Sequence, residues 1–397
     1  MAVYGRILRS PRIAILVVAT TLARLPFGIN GLAILLFVRE QTGSFAVAGL
    51  TVGALALGSA IGAPLAARLV DRRGTAMLMP LALVHAASLL AIWGLGLAGV
   101  PSIVLVGLAL IGGAAFPPSG SVLRSRWPQL LGDPELVRGA YALDSSLIEI
   151  SFVAGPLITA AAVAFAGPEI ALGLAAVLVI AGTALFLSKL PASPAEDRHE
   201  AHRGLLGALG HRAIRTIALT TVPVGFCIGT IEVAIPAFSD AQGSAELSGV
   251  LLALWSGASG VGGLIFGIRR VRHGLVQTYL AIAVLFPLAC LPLAAASAPA
   301  AMAALVMLSG LPIAPLIASR NELVAAVAPR GTQTEAFTWL VTSLVAGLAA
   351  GNAVAGAVIE RDGWPAAVMV GVGAAAIGAA LALSRRQTLM PSPVPAG

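Results

Sequence analysis

Charge is the scarcest thing in this chain. Only 10% of its residues are Asp, Glu, Lys or Arg, against about a quarter in an ordinary soluble domain. That excludes a soluble fold. Lysine is nearly missing as well: Lys189 stands alone. The dominance of arginine over lysine reads as a coding bias rather than chemistry. No glycine-rich phosphate loop ends in that lysine, so ATP hydrolysis is not the energy source. Cysteine is limited to Cys227 and Cys290. Both lie in apolar runs, where they serve packing, and no disulfide framework is implied. Histidine offers no ligand cluster. His85 has no carboxylate near it in sequence, and His199 and His202 have too few neighbouring ligands. No metal or other cofactor is expected.

What is present is apolar. Hydrophobic residues make up 58% of the chain, and mean hydropathy is +0.96. About 20 apolar residues span a bilayer, and such runs recur along the whole length. They predict twelve spans, at about 13–38, 46–67, 75–98, 101–123, 138–165, 168–188, 213–238, 247–268, 274–296, 299–319, 335–359 and 364–384. The N-terminal run resembles a signal peptide at first, with Arg6, Arg9 and Arg12 ahead of it. It continues to Val38, so a first membrane helix is the better reading. Residues 191–212 form the long polar segment that divides the spans six and six. The expected organisation is a six-helix bundle over 1–190, a cytoplasmic linker over 191–212, a second bundle over 213–386 and a disordered tail over 387–397. The fold class is therefore an all-α membrane protein with twelve transmembrane helices.

The basic residues set the orientation. With the N-terminus inside, all of them fall on the inner connections except Arg39 and Arg361 outside and Arg24 within a span. Such asymmetry places both termini in the cytoplasm. The sequence pI of 10.6 thus reflects topology, and no nucleic-acid partner is implied.

The two halves echo each other. Glu40-Gln41-Thr42-Gly43-Ser44 matches Asp240-Ala241-Gln242-Gly243-Ser244, and Gly49 matches Gly249. Gly58-Ser59-Ala60-Ile61-Gly62 matches Ala258-Ser259-Gly260-Val261-Gly262. Arg72-Arg73-Gly74 matches Arg272-His273-Gly274 at the same offset. A slightly shorter offset aligns Arg124 with Arg320, Ala140-Tyr141 with Ala336-Phe337, and Gly155 with Gly351. Membrane proteins built from two such repeats place a substrate site between them and rock the halves around it.

Six plus six spans, a polar central linker and an arginine-rich loop after the second span resemble the major facilitator superfamily, in particular its bacterial drug and metabolite efflux members. The resemblance covers nearly the whole chain. Its most specific piece is the loop signature, read here as Ala67-Arg68-Leu69-Val70-Asp71-Arg72-Arg73-Gly74-Thr75-Ala76. Asp71, Arg72 and Gly74 match. Ala67 replaces the first glycine, and Thr75 and Ala76 replace a basic pair. The resemblance implies a conformational latch made of Asp71, Arg72 and Gly74, with Arg124 as a partner for the acid. The plainer reading is that Asp71 only punctuates a basic loop. Gly155-Pro156 resembles the core of the superfamily's antiporter signature, but its other glycines are missing. The arginine motif of the fourth span in proton-coupled members is also missing, since Leu105 to Ala114 carries no charge.

Four ionisable groups lie inside predicted spans: Arg24, Asp144, Glu149 and Glu232. Each needs a partner, a wet cavity or, for the acids, a proton. Arg24 lies twelve residues past Arg12, roughly 18 Å into the membrane. Glu149 lies at similar depth from Arg138, so an Arg24–Glu149 pair is expected. Asp144 sits nearer the cytoplasmic end. Glu232 has no basic residue at its depth and is the candidate for carrying a proton or binding a cation. Together these four form the expected charge relay. Asn30, Asn352, Trp255 and Thr342 are the expected cavity residues, because a polar group in an apolar helix wants a partner.

The expectation that follows is a secondary active transporter working by alternating access. The sparse polar complement suits a small apolar or amphiphilic molecule better than a polyol. Proton-coupled efflux across the bacterial cytoplasmic membrane is the favoured form, with protons, lipid and a small-molecule substrate as partners and a monomer as the default. Import of a small metabolite or sugar is the nearest alternative. A non-transporting sensor or scaffold is another. An enzyme would need a nucleophile and base in the membrane. Ser145, Ser146 and Glu149 are the sole such grouping and have no histidine beside them.

Overall fold

The computed structural model describes residues 2–190, 208–268, 274–328 and 333–390. The first half runs α1 (Ala2–Leu8), α2 (Pro11–Thr42), α3 (Phe45–Arg73), α4 (Leu78–Leu97), α5 (Ser102–Ala114), α6 (Ser119–Leu131), α7 (Pro134–Phe165) and α8 (Pro168–Lys189). The second runs α9 (Arg212–Ala241), α10 (Leu247–Ile268), α11 (Leu275–Cys290), α12 (Pro299–Gly310), α13 (Ile313–Val327), α14 (Gln333–Asp362) and α15 (Trp364–Ser384). No strand occurs among the described residues.

Among the described residues, 11 helical stretches are long and apolar enough to cross a membrane, with α5–α6 counting as one and α12–α13 as another. The remaining helix, α7, has a shorter apolar run at Ile150–Phe165. Its 32 residues make it about 48 Å long. The chain is an all-α membrane protein. In such a protein every backbone N–H and C=O must be satisfied internally, and helices do this within one segment.

The chain divides into two compact units, Met1–Arg198 with Ala245–Ala253 and His199–Ser244 with Leu254–Gly397. Each unit repeats the same packing scheme. In the first, α2 packs on α7 and α3 on α5; in the second, α9 packs on α14 and α10 on α12. Small residues allow this. A Cβ on Gly28 would strike the Ser151 carbonyl, and one on Gly155 would strike Gly28. The same holds for Gly225 and Gly229 against α14, and for Gly347 and Gly351 against α9. With lipid no more polar than the side chains, close backbone approach is what holds helices together. The matched turn glycines also share a conformation: Gly43 has φ 69° and Gly243 φ 72°. Both follow the long first helix of their half, where a left-handed residue ends the helix without a Cβ penalty.

Two predicted spans end elsewhere than expected. The fourth, expected at 101–123, breaks after Ala114 and resumes as α6 to Leu131. Pro117 and Pro118 lack the N–H needed to continue α5. Leu123 and Trp127 then carry α6 into a core with Ile7, Leu16, Leu78 and Phe186. The tenth, expected at 299–319, breaks near Pro312 and runs on to Val327. Arg124 and Arg320, assigned by sequence to connecting loops, thus lie within helices. Part of the segment expected as tail is ordered. Arg386–Leu389 forms a 3-10 turn whose Leu389 is buried, and the Thr388 hydroxyl lies 3.0 Å from that of Thr216 on α9. The residues of the expected linker at 191–207 and of the tail at 391–397 lie outside the described set.

Candidate functional site

In the first unit, the fixed charges meet at Asp144 on α7. One carboxylate oxygen accepts from Arg24 on α2 and the other from Arg124 on α6. The Asp144 side chain is 4% exposed, Arg24 14% and Arg124 43%. Bidentate use of one acid by two guanidiniums satisfies the carboxylate's acceptor capacity. The Arg24 guanidinium lies against Gly120 in the first turn of α6, filling the space a Cβ would need there.

The sequence led to an expected Arg24–Glu149 pair; the structure gives Arg24 a partner in Asp144. The face of α7 that meets α2 is marked by Ser151 and Gly155. Asp144 is seven residues before Ser151 and shares that face. The Arg24 stem reaches one turn down to Asp144, as long cationic side chains do. The Glu149 side chain lies outside the described residues. So does that of Asp71, the expected latch acid. Arg72 is exposed, and Gly74 ends α3 at φ 90°, its N–H donating to the Val70 carbonyl at 2.8 Å.

A second group in this unit was not foreseen. His85 on α4 is buried, with Nδ1 2.7 Å from the Gly112 carbonyl oxygen and Nε2 3.1 Å from Asn30 Nδ2. A carbonyl only accepts, so Nδ1 carries the hydrogen and Nε2 accepts from the amide. Asn30 Oδ1 is buried without a partner among the described residues. The His85 ring also meets Phe116 edge-on at 5.0 Å, Phe116 meets Phe27 at 5.8 Å, and Phe27 meets Phe152 at 5.6 Å. Phe27 is 52% exposed, although most of the middle of α2 is buried. Helix periodicity in the sequence brings Phe27 and Asn30 to one face (i, i+3). It does not bring α4 to them, so the contact between Asn30 and His85 was not legible in the sequence.

In the second unit, Gly225, Gly229 and Glu232 share one face of α9 by spacing. That face packs on α14, where Gly229 lies against Leu348 and the backbone of Asn352. Asn352 is therefore about one turn from the level of Glu232. Glu232 is partly buried and has no hydrogen bond or ion pair among the described residues. Asn352 is fully buried, and neither its Nδ2 nor its Oδ1 has a partner among the described residues. Trp255 is buried with its indole N–H likewise unpartnered, and Thr342 is partly buried. Among the described residues no cluster of metal-ligating side chains occurs.

Comparison with known proteins fits this architecture. The family model described as Major Facilitator Superfamily matches residues 16–268 and again 217–397. An uncharacterised MFS-type transporter, y4rN of Sinorhizobium fredii, is 30% identical over 290 residues, which is 68% of this chain and 70% of that protein. Among solved structures, the nucleoside transporter NupG superposes with a TM-score of 0.77 at 14% identity, covering 94% of this chain and 98% of NupG. The human organic anion transporter MFSD10 superposes at 0.64 with 17% identity, covering 93% and 98%. At such identities the structural likeness speaks for the fold alone.

Proposed function

The chain belongs to the major facilitator superfamily of membrane transporters, and we propose that it exports a small, largely apolar or amphiphilic molecule in exchange for protons, by alternating access. The observation that carries this reading is Glu232. Among the described residues it is a partly buried acid without a base, one turn from a buried amide without a partner. In an apolar surrounding such an acid is tolerable when it holds a proton and costly when bare. A site that must gain and lose a proton as the protein changes state has this composition. Static packing does not need it, since the repeat-related position is Leu32, which is buried.

The nature of the cargo follows from what lines the exposed surface of α2 and α7. Phe27 and Phe152 are large apolar rings, 52% and 39% exposed. Aromatic faces of this kind suit apolar or aromatic molecules, and the spans offer too few amides and acids for a polyol. The distribution of arginine supports a location in the bacterial cytoplasmic membrane with both termini inside. The latch reading of Asp71, Arg72 and Gly74 with Arg124 belongs to the same proposal. Arg124 is already engaged by Asp144, so a change of state would trade partners around a fixed arginine.

The test is movement of a lipophilic dye by purified protein in liposomes under an imposed pH gradient. Gradient-driven dye movement that is absent in Glu232→Gln supports the reading. Movement of equal rate in both proteins contradicts the role of Glu232. Indifference to the gradient contradicts proton coupling.

A further inference from the structure

Arg320 on α13 is the repeat partner of Arg124, yet the two have opposite surroundings. Arg124 is 43% exposed and bonded to an acid. Arg320 is 6% exposed. Its hydrogen bonds are to Asn321 Oδ1, from Nε at 3.4 Å and Nη2 at 3.1 Å. The position that corresponds to Asp144 is Leu340, which is buried. The second half has therefore kept the arginine, sunk it deeper and removed its acid. Among the described residues no carboxylate pairs with it. Glu322, two residues along α13, is exposed. Glu232, on the neighbouring α9, is twelve residues beyond Thr220, about 18 Å along the helix.

One neutral hydroxyl lies near the guanidinium instead. Tyr279 on α11 is buried and lies within electrostatic range of Arg320. Its hydroxyl is 2.8 Å from the buried hydroxyl of Thr220 on α9. A buried guanidinium with no counter-charge is strongly unfavourable, and such charges in membrane proteins mark ligand paths. Thr220 donates to the Ile217 carbonyl and Tyr279 in turn donates to Thr220, so the guanidinium's own N–H groups are what an incoming carboxylate would meet.

We propose that Arg320 binds the carboxylate of a small amphiphilic organic anion. The inference deepens the transporter reading by naming the charge on its cargo. It is tested by binding, so that it stands or falls separately from transport.

The experiment measures thermal stabilisation of the full-length protein in phosphatidylcholine nanodiscs, which contain no anionic lipid. The probe is benzoate, with benzamide as its neutral counterpart. Wild type is expected to gain stability saturably with benzoate and not with benzamide. Arg320→Gln should weaken binding roughly 30-fold or more, the usual consequence of removing one side of a buried charge pair. Arg320→Lys, which keeps the positive charge, covers the case in which the glutamine variant does not fold; it should retain benzoate binding more weakly than wild type. Equal stabilisation of wild type and the Arg320 variants by benzoate overturns the proposal. So does stabilisation by phosphatidylglycerol without any response to benzoate, which would make Arg320 a lipid contact. Absence of any benzoate response in wild type overturns it too.

Discussion

Asp144 on α7 holds Arg24 on α2 across 120 residues of sequence, while its second oxygen holds Arg124. Three helices are thereby tied at one acid that is almost wholly buried. Asp144→Asn leaves Arg24 buried without its counter-charge. The expected cost is about 3–5 kcal/mol, read as a lower melting temperature of the purified protein. The double variant Asp144→Asn with Arg24→Gln should recover much of that loss, because the uncompensated charge is gone.

Gly120 supplies the space in which the Arg24 guanidinium lies. Gly120→Ala should destabilise by about 1–3 kcal/mol, the range for forcing extra atoms into a packed site. In an Arg24→Gln background the same change should cost clearly less. Equal costs in the two backgrounds would show that the guanidinium does not set the identity of residue 120.

Asn30 and His85 act as one hydrogen-bonded unit. His85→Phe leaves the Gly112 carbonyl and the Asn30 amide without a partner, at about 1–3 kcal/mol. Asn30→Leu added to it removes the stranded amide. The pair should be less destabilising than the sum of the singles, measured by thermal unfolding.

Phe27 is exposed beside Phe116 and Phe152. Phe27→Ala should leave stability nearly unchanged and raise the apparent KM for an aromatic dye about fivefold, the equivalent of about 1 kcal/mol of ring contact. An unchanged KM would remove the aromatic face from the cargo path.

Much of the fold was legible because apolar run length and arginine placement are properties of single segments. The helix positions, the two-fold repeat and the turn at Gly43 and Gly243 all follow from local pattern. What failed depended on which helices meet and at what register. Depth counting put Arg24 level with Glu149; the partner the structure gives it, Asp144, depends on helix register, since a helix turns 100° per residue. The partner of His85 was illegible for the same reason: Asn30 is 55 residues away, on a helix whose neighbours the sequence does not state. Glu232 was found from sequence because an acid deep in an apolar run stands out by itself. The burial of Arg320 was missed because its span was ended at residue 319, about two turns before the end of the helix at Val327.

Coupling through Glu232 is most directly tested by comparing two activities of one variant. In liposomes, dye should be driven uphill by an imposed pH gradient and also exchanged across the membrane without a gradient. The account predicts that Glu232→Gln, permanently neutral like the protonated acid, keeps exchange near the wild-type rate and loses uphill movement. Uphill movement at the wild-type level in Glu232→Gln would contradict it.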